Sequence, residues 1–272
     1  MHLTEKFLLF ETPLPQIFSY KKYYRQLNCH NAGREIRYSS LMLNPKYTFE
    51  EFIVDAGNQA AFQAAIRVAE NPGKVSNPLI ISGDVGSGKT HLSHAIGNRI
   101  RQNSPTFKLL FTSSEDFLRR YLTREKEKPK SFIKEYENLD VLSIENINFL
   151  RDKPAAQKEL FHIILFLRKH QKQLILDSQE PLEDISLNSR VLSILNKGCH
   201  VKINPLSTDG KLSILHKKAE AMRMLMPHSI AYWLAEKATN IRELEGYVIR
   251  LSAHSELSGT PITFDIVKNL VW

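Results

Sequence analysis

The run Pro78-Leu79-Ile80-Ile81-Ser82 leads straight into Gly83-Asp84-Val85-Gly86-Ser87-Gly88-Lys89-Thr90, and an amphipathic stretch, His91 to Arg101, follows. An apolar strand that turns through glycines into a helix restricts the fold more than any other feature of the chain. The turn fits G-x-x-x-x-G-K-[ST] completely. Gly83, Gly86 and Gly88 let successive backbone N–H groups face one phosphate, and the helix adds its dipole and free N–H groups. Lys89 supplies a cation for the β- and γ-phosphates, and the Thr90 hydroxyl is placed for Mg²⁺. The segment therefore predicts a nucleoside triphosphate site made by Gly83, Val85, Gly86, Ser87, Gly88, Lys89 and Thr90 with the adjoining His91. An acid ending a neighbouring strand should hold Mg²⁺ through water, and Glu145, after Val141-Leu142-Ser143-Ile144, is that acid.

Strands and helices alternate around this motif. Helices are expected over 58–70, 91–101, 114–124 (capped by Ser113 or Ser114) and 155–168. Strands are expected over 78–82, 109–112, 141–144 and 173–176. Such alternation implies βαβ units and an α/β fold with a parallel sheet. Beyond Pro205 the pattern turns wholly helical, over 211–223, 230–239 and 241–255, with a last helix at 264–270. The expected organisation is an N-terminal arm (1–43), an α/β base (44–205) and a small helical lid (206–272), hinged at Pro205-Leu206-Ser207-Thr208-Asp209-Gly210.

The 272 residues are 42% hydrophobic and 24% charged, which excludes collagenous, disulfide-scaffold and wholly disordered classes. No apolar run reaches the roughly 20 residues of a membrane span. The apolar patch Phe7 to Phe10 is flanked by Glu5 and Glu11, unlike a secretory signal, so a cytoplasmic protein is expected. Cys29 and Cys199 stand far apart without CxxC partners and read as thiols in a reducing compartment. Net charge is +8, and seven basic residues against two acidic ones fall between Arg119 and Lys134. Arg119, Arg120, Arg124 and Lys126 are thus candidates for non-specific DNA contact, beside the plainer reading of a solvated helix end and loop. The basic, aromatic Tyr20 to Arg25 run suits either nucleic acid or an arm packed on the main domain.

Several segments carry a resemblance. Gly83 to Asn98 resembles the nucleotide loop and first helix of the bacterial replication initiator DnaA family. So do Leu43 to Val54 with Asn58, Asp140 to Ile144 with Asn148-Phe149-Leu150, and Asn240-Ile241-Arg242-Glu243-Leu244-Glu245-Gly246. The likeness runs from about Leu43 to Leu270. It implies an AAA+ fold, a Rossmann-like parallel sheet with an appended helical lid, holding ATP and Mg²⁺ between them. It implies Phe49, Phe52, Val54 and Asn58 beside the adenine, and Arg242 as the lid arginine that reaches the γ-phosphate. Partners implied are another DnaA-family or replisome protein and an oligomer of like or unlike chains.

Departures from the family pattern bear on hydrolysis. Asn146 stands where AAA+ ATPases carry the acid that polarises water, and an amide takes up no proton near neutral pH. Gln179 replaces a usual Asp. Arg190 is kept, but Ile194 stands where the resemblance puts the arginine that reaches a neighbour's ATP. Glu137 stands where relatives often carry Arg near single-stranded DNA. The family reads duplex origin DNA through a helix-turn-helix segment beyond the last helix, so sequence-specific origin recognition is not expected of these 272 residues alone. The reading is an ATP-binding protein acting in initiation or regulation of replication with weak or no intrinsic hydrolysis. Its rivals are a helicase-loader or DnaA-regulator ATPase that needs a partner's arginine, and a basic single-stranded-DNA-binding module.

Overall fold

The computed structural model describes residues 43–127 and 129–271, with backbone alone over 124–127 and 129–132. The arm over 1–42, with Tyr20 to Arg25 and Cys29, lies outside the described residues, as do the Arg124 and Lys126 side chains; Cys199 is a free, half-buried thiol. Five parallel strands form one sheet: β1 (Leu79–Gly83), β2 (Leu109–Ser113), β3 (Val141–Glu145), β4 (Gln173–Ser178) and β5 (Cys199–Ile203), in the order β2-β3-β4-β1-β5. Leu79, Ile80 and Ile81 are buried on both faces of β1, as helices on both sides of a parallel sheet require. Each such side chain contributes about 2 kcal/mol by leaving water.

The helices around the sheet are α1 (Gln59–Glu70), α2 (Lys89–Asn103), α3 (Ser114–Glu127), α4 (Pro129–Glu137), α5 (Pro154–Lys169) and α6 (Ser189–Leu195). In α1 the buried stripe is Ala61, Ala64, Ala65, Val68 and Ala69, a helical period in small residues that lets α1 lie close to α2. Ser113 caps α3, its Oγ accepting from Asp116 N–H at 3.1 Å. Pro154 opens α5, whose buried stripe includes Leu160, Ile163, Ile164 and Leu167. Buried Gln157 ties that helix to its surroundings: its Nε2 donates to the carbonyls of Leu150 (2.8 Å) and Ser186 (3.1 Å), and its Oε1 accepts from Asn188 N–H.

After Ile203 the chain is helical: α7 (Thr208–Ala221), α8 (His228–Lys237), α9 (Ile241–Ser258) and α10 (Phe264–Val271). These helices share their own hydrophobic core, including Leu215, Leu234, Leu244, Val248, Leu251 and Val267. Ser207 caps α7, accepting from Gly210 N–H, and Asn240 caps α9, accepting from Glu243 N–H at 3.1 Å. Glu243 reaches back to Thr239 N–H at 2.7 Å, giving α9 a reciprocal cap. Asp55 joins the two parts, its Oδ2 accepting from the hydroxyl of Ser207 at 2.5 Å and from its N–H at 3.2 Å.

Three elements, α4, α6 and β5, are additions to those the sequence pattern predicts. The remaining strands and helices form where the sequence places them, within a few residues at their ends.

Candidate nucleotide site

The glycine-rich loop leaves β1 at the carboxyl edge of the sheet, beside the ends of β3 and β4. Ile81 is registered with Asp177 and Ser82 with Ser178, while Ile144 pairs with Leu176. Glu145 and Asp177 therefore end adjacent strands next to the loop. Gly88, at φ 103°, sits where a side chain would strain the backbone, and a Cβ there would lie 3.1 Å from the Phe52 ring. It caps α2 and frees that helix's first N–H groups to face the loop.

Lys89 is buried at 8% exposure, its Nζ donating to the carbonyls of Gly83 (2.6 Å) and Asp84 (2.8 Å). Burial pulls its pKa down; Asp177, Asp84 and Glu145 oppose this, while the Arg242 cation pushes it lower still. Arg242, on the first turn of α9, lies against Gly86: a Cβ on that glycine would be 3.2 Å from Arg242 Cγ and 3.0 Å from Asn240 Oδ1. Ile241 N–H also donates to Gly86 O at 3.3 Å. Glu243 and Glu245 are engaged with Thr239 N–H and Lys218 respectively. Among the described residues no carboxylate pairs with Arg242. Two cations, Lys89 and Arg242, thus flank the same glycine-rich loop closely enough to repel one another. Ser87 Oγ, buried in the loop, has no hydrogen-bond partner among the described residues.

On the acid side, Asp177 is 4% exposed, and its Oδ1 accepts from Asn146 N–H at 2.9 Å. Burial, then the Glu145 charge, pushes its pKa up to about 7, against the pull of that hydrogen bond and of Lys89. Glu145 Oε1 is buried with no hydrogen bond; His94 Nε2 lies 3.3 Å away without hydrogen-bonding geometry. His94 Nδ1 accepts from Asn44 N–H at 2.9 Å, so in the neutral ring the proton sits on Nε2, toward Glu145. Among the described residues no group of three His, Cys, Asp or Glu side chains could hold a metal ion by itself. Two adjacent carboxylates, one with a buried oxygen that accepts no hydrogen bond among the described residues, fit the sparse protein shell of Mg²⁺, which completes its octahedron from water and substrate phosphates.

Residues 43–202 match the family model described as the bacterial DnaA ATPase domain. The chain belongs to the bacterial DnaA family. It is 42% identical to the DnaA of Pelobacter propionicus over 233 residues, 85% of this chain and 52% of that protein. It is equally identical to the DnaA of Enterococcus faecalis over 231 residues, covering 84% and 52%. The chain thus spans about half the length of the curated DnaA proteins it matches. The crystal structure of domain III of Thermotoga maritima DnaA superposes with a TM-score of 0.80 at 34% identity, covering 84% of this chain and 98% of that one. A replication initiator DnaA bound to AMPPCP and single-stranded DNA superposes at 0.73 and 31% identity, covering 80% and 67%. Thermotoga maritima RuvB, at 0.61 and 19% identity, shares the fold alone.

The DnaA-like residues named from the sequence fall into three groups. The loop from Gly83 to Thr90, Glu145 and Arg242 come together as described, with Val85 exposed and Thr90 half-buried. Phe52, His91 and Asn58 build the wall behind the loop. Phe52 stacks on Phe62 at 5.8 Å and meets His91 edge-on at 5.2 Å; His91 stacks on Tyr47 at 4.7 Å and bonds Thr48 O through Nε2 at 2.8 Å. Burial holds the His91 pKa below its ordinary value, so the ring is neutral and donates to that carbonyl. Asn58, 1% exposed, ties down the local turn, Oδ1 accepting from Asp55 N–H and Nδ2 donating to Ile53 O, both at 2.9 Å. It shapes the 53–55 backbone; Val54 is 44% exposed.

The third group lies away from the loop. Arg119 on α3 is exposed and paired with Asp116, and Arg120 is half-buried. Ile194 is 6% exposed and packs inward from α6. The exposed arginine of that helix is Arg190. Asp177 is absent from the sequence-derived set: its signal is a lone acid closing the apolar strand Leu174-Ile175-Leu176, three residues before Glu180-Pro181.

Proposed function

We propose that the chain binds ATP with Mg²⁺ at the seam between the Gly83–Thr90 loop and the first turn of α9, and acts in initiation or regulation of chromosomal replication. The base would run from 44 to 205 and the lid from 206 to 272. The observation that carries this reading is that Lys89 and Arg242 flank one glycine-rich loop, each charge felt by the other, with no carboxylate on Arg242 among the described residues. A triphosphate spanning the loop and Arg242 neutralises both cations. Because Ile241 N–H docks on Gly86 O, occupancy of the loop and the angle of the helical segment are coupled. Mg²⁺, held by Thr90 and, through water, Glu145, would neutralise phosphate charge. Hydrolysis by the chain alone is slow, because Asn146 carries an amide where a proton acceptor is needed. One DnaA relative is bound to AMPPCP and single-stranded DNA, consistent with a nucleotide here and with DNA contact along α3 through Arg119, Arg120, Arg124 and Lys126.

A second reading, an ATPase stimulated by an arginine from a partner, gains support from Asp177. A carboxyl with a pKa of about 7 at the loop has the strength that general-base catalysis requires. Calorimetric titration of Mg-ATP, with phosphate release measured alone and with a full-length DnaA, separates the two. Saturable heat that is lost in Lys89→Ala and weakened about tenfold in Arg242→Ala is expected, with release near background. Absence of binding heat and a melting temperature indifferent to ATP would reject the nucleotide site. Turnover by the chain alone at about 1 s⁻¹, an ordinary enzyme rate, would reject slow hydrolysis.

A further inference from the structure

At the opposite edge of the sheet from the glycine-rich loop, where β1, β4 and β5 begin, lies a depression of about 480 Å³ whose lining includes Lys74, Arg168 and Lys197. Strand β1 separates it from the loop by five residues, or about 16 Å at 3.3 Å per residue, and the two share no residue. Lys74 and Lys197 are exposed and Arg168 is half-buried; among the described residues none of the three has an ion pair or a side-chain hydrogen bond. Asp140, which neighbours the start of β4, is already committed to Lys172 and to Lys108 N–H.

The walls are fixed by buried amides. Gln173, fully buried, accepts from Gly73 N–H at 2.8 Å and donates to the carbonyls of Ser76 and Leu174. Asn77 donates to Lys172 O at 2.7 Å and accepts from Leu174 N–H at 3.0 Å, and Cys199 N–H donates to Pro78 O at 2.8 Å. Three cations from three separate segments therefore line one polar bowl whose backbone is tied together by buried amides. No aromatic ring lines it, so it offers a base nothing to stack on and reads charge instead.

We propose that this bowl is a second anion site, which binds a phosphate group through Lys74, Arg168 and Lys197. The phosphate comes either from a free polyphosphate or phosphorylated small molecule, or from the phosphodiester backbone of DNA. The site is independent of ATP binding at the loop, and it gives the molecule a basic contact at each edge of its sheet.

The test uses the full chain carrying Lys89→Ala, which silences the loop. Inorganic tripolyphosphate is titrated by calorimetry, and a fluorescent fifteen-residue oligothymidylate by anisotropy across a salt series starting at low ionic strength. Arg168→Gln/Lys197→Gln is compared with Lys158→Gln/Lys237→Gln, which removes the same charge from exposed lysines elsewhere. Lys74→Gln/Lys197→Gln repeats the test without touching α5. The bowl variants are expected to weaken a probe at least tenfold and the control pair less than twofold. Loss confined to tripolyphosphate identifies the free anion. Loss on the oligonucleotide, with the slope of log K against log salt reduced by about 1.4 for two lost contacts, identifies the DNA backbone. Equal losses in bowl and control variants, or no binding of either probe at low salt, would overturn the proposal.

Discussion

Replacing Asp177 by Asn isolates the electrostatic cost built into the acid side of the site. The side chain keeps its shape, and Oδ1 can still accept from Asn146 N–H. What disappears is ionisation. The folded carboxyl titrates at about 7 against an ordinary 3.8, so between those values the folded state binds the proton more tightly than the unfolded chain does. Stability from this group is therefore full below pH 3.8 and is lost as pH rises toward 7, the reverse of a salt-bridged aspartate. At 1.36 kcal/mol per pKa unit the ceiling is about 4 kcal/mol. Wild type and variant should match within about 0.6 kcal/mol at pH 4 and part by about 2 kcal/mol at pH 5.5. At pH 8 the variant should lead by about 4 kcal/mol.

The assay is urea unfolding of both proteins from pH 4 to 8.5, without nucleotide and with a chelator present, so that no cation masks the carboxylates. Burial is the largest cause of the shift and the Glu145 charge the second. In a Glu145→Gln background the pH-dependent gap should consequently narrow without closing, and in Lys89→Ala, where an attracting cation is gone, it should widen. A stability difference between wild type and Asp177→Asn that does not change with pH would refute the reasoning, as would a wild type more stable than the variant at pH 8.

Three substitutions probe the frame around the site. Asn58→Ala strands Asp55 N–H and Ile53 O in a position that is 1% exposed, and should cost about 2–4 kcal/mol in urea unfolding. Gly88→Ala meets both a left-handed φ of 103° and the Phe52 ring at 3.1 Å. It should cost about 1–3 kcal/mol and weaken Mg-ATP binding in calorimetry together with stability. Gly97→Ala would place a Cβ 2.5 Å from Phe111 Cζ and 2.6 Å from Leu43 Cδ2. Thermal melting should fall despite the helix propensity of alanine, by an overpacking cost of about 1–3 kcal/mol.

What the sequence discloses follows the range of the interaction involved. The loop and its strand and helix are a contiguous stretch whose chemistry is written in neighbouring residues, and the structure assembles it as expected. Strand β5 escapes the pattern although Cys199-His200-Val201-Lys202-Ile203 alternates with period two, and burial alternates with it. It buries one face only, and the polar His200 and Lys202 deny it the apolar run that marks the four other strands. Helix α6 spans seven residues, too few for a helical period to stand out, yet Val191, Ile194 and Leu195 already show the i, i+3, i+4 spacing of a buried face. That spacing keeps Ile194 in the core.

Asp177 is hidden for a different reason. Its chemistry comes from Glu145 on a separate strand, from Asn146 N–H and from Lys89, which β-sheet pairing brings to one edge. No window along the chain contains that set. Arg242 is the same case over a longer span: nothing in its own helix marks it, and before the fold only the resemblance places it near the phosphates. Local motifs thus announce where a phosphate can sit, whereas the groups that set the charge state of that place arrive from distant segments through the topology. The acid–cation balance at the carboxyl edge of β1, β3 and β4 is therefore a property of strand order. It shifts with any substitution at Glu145, Asp177 or Arg242 while leaving the glycine-rich signature intact.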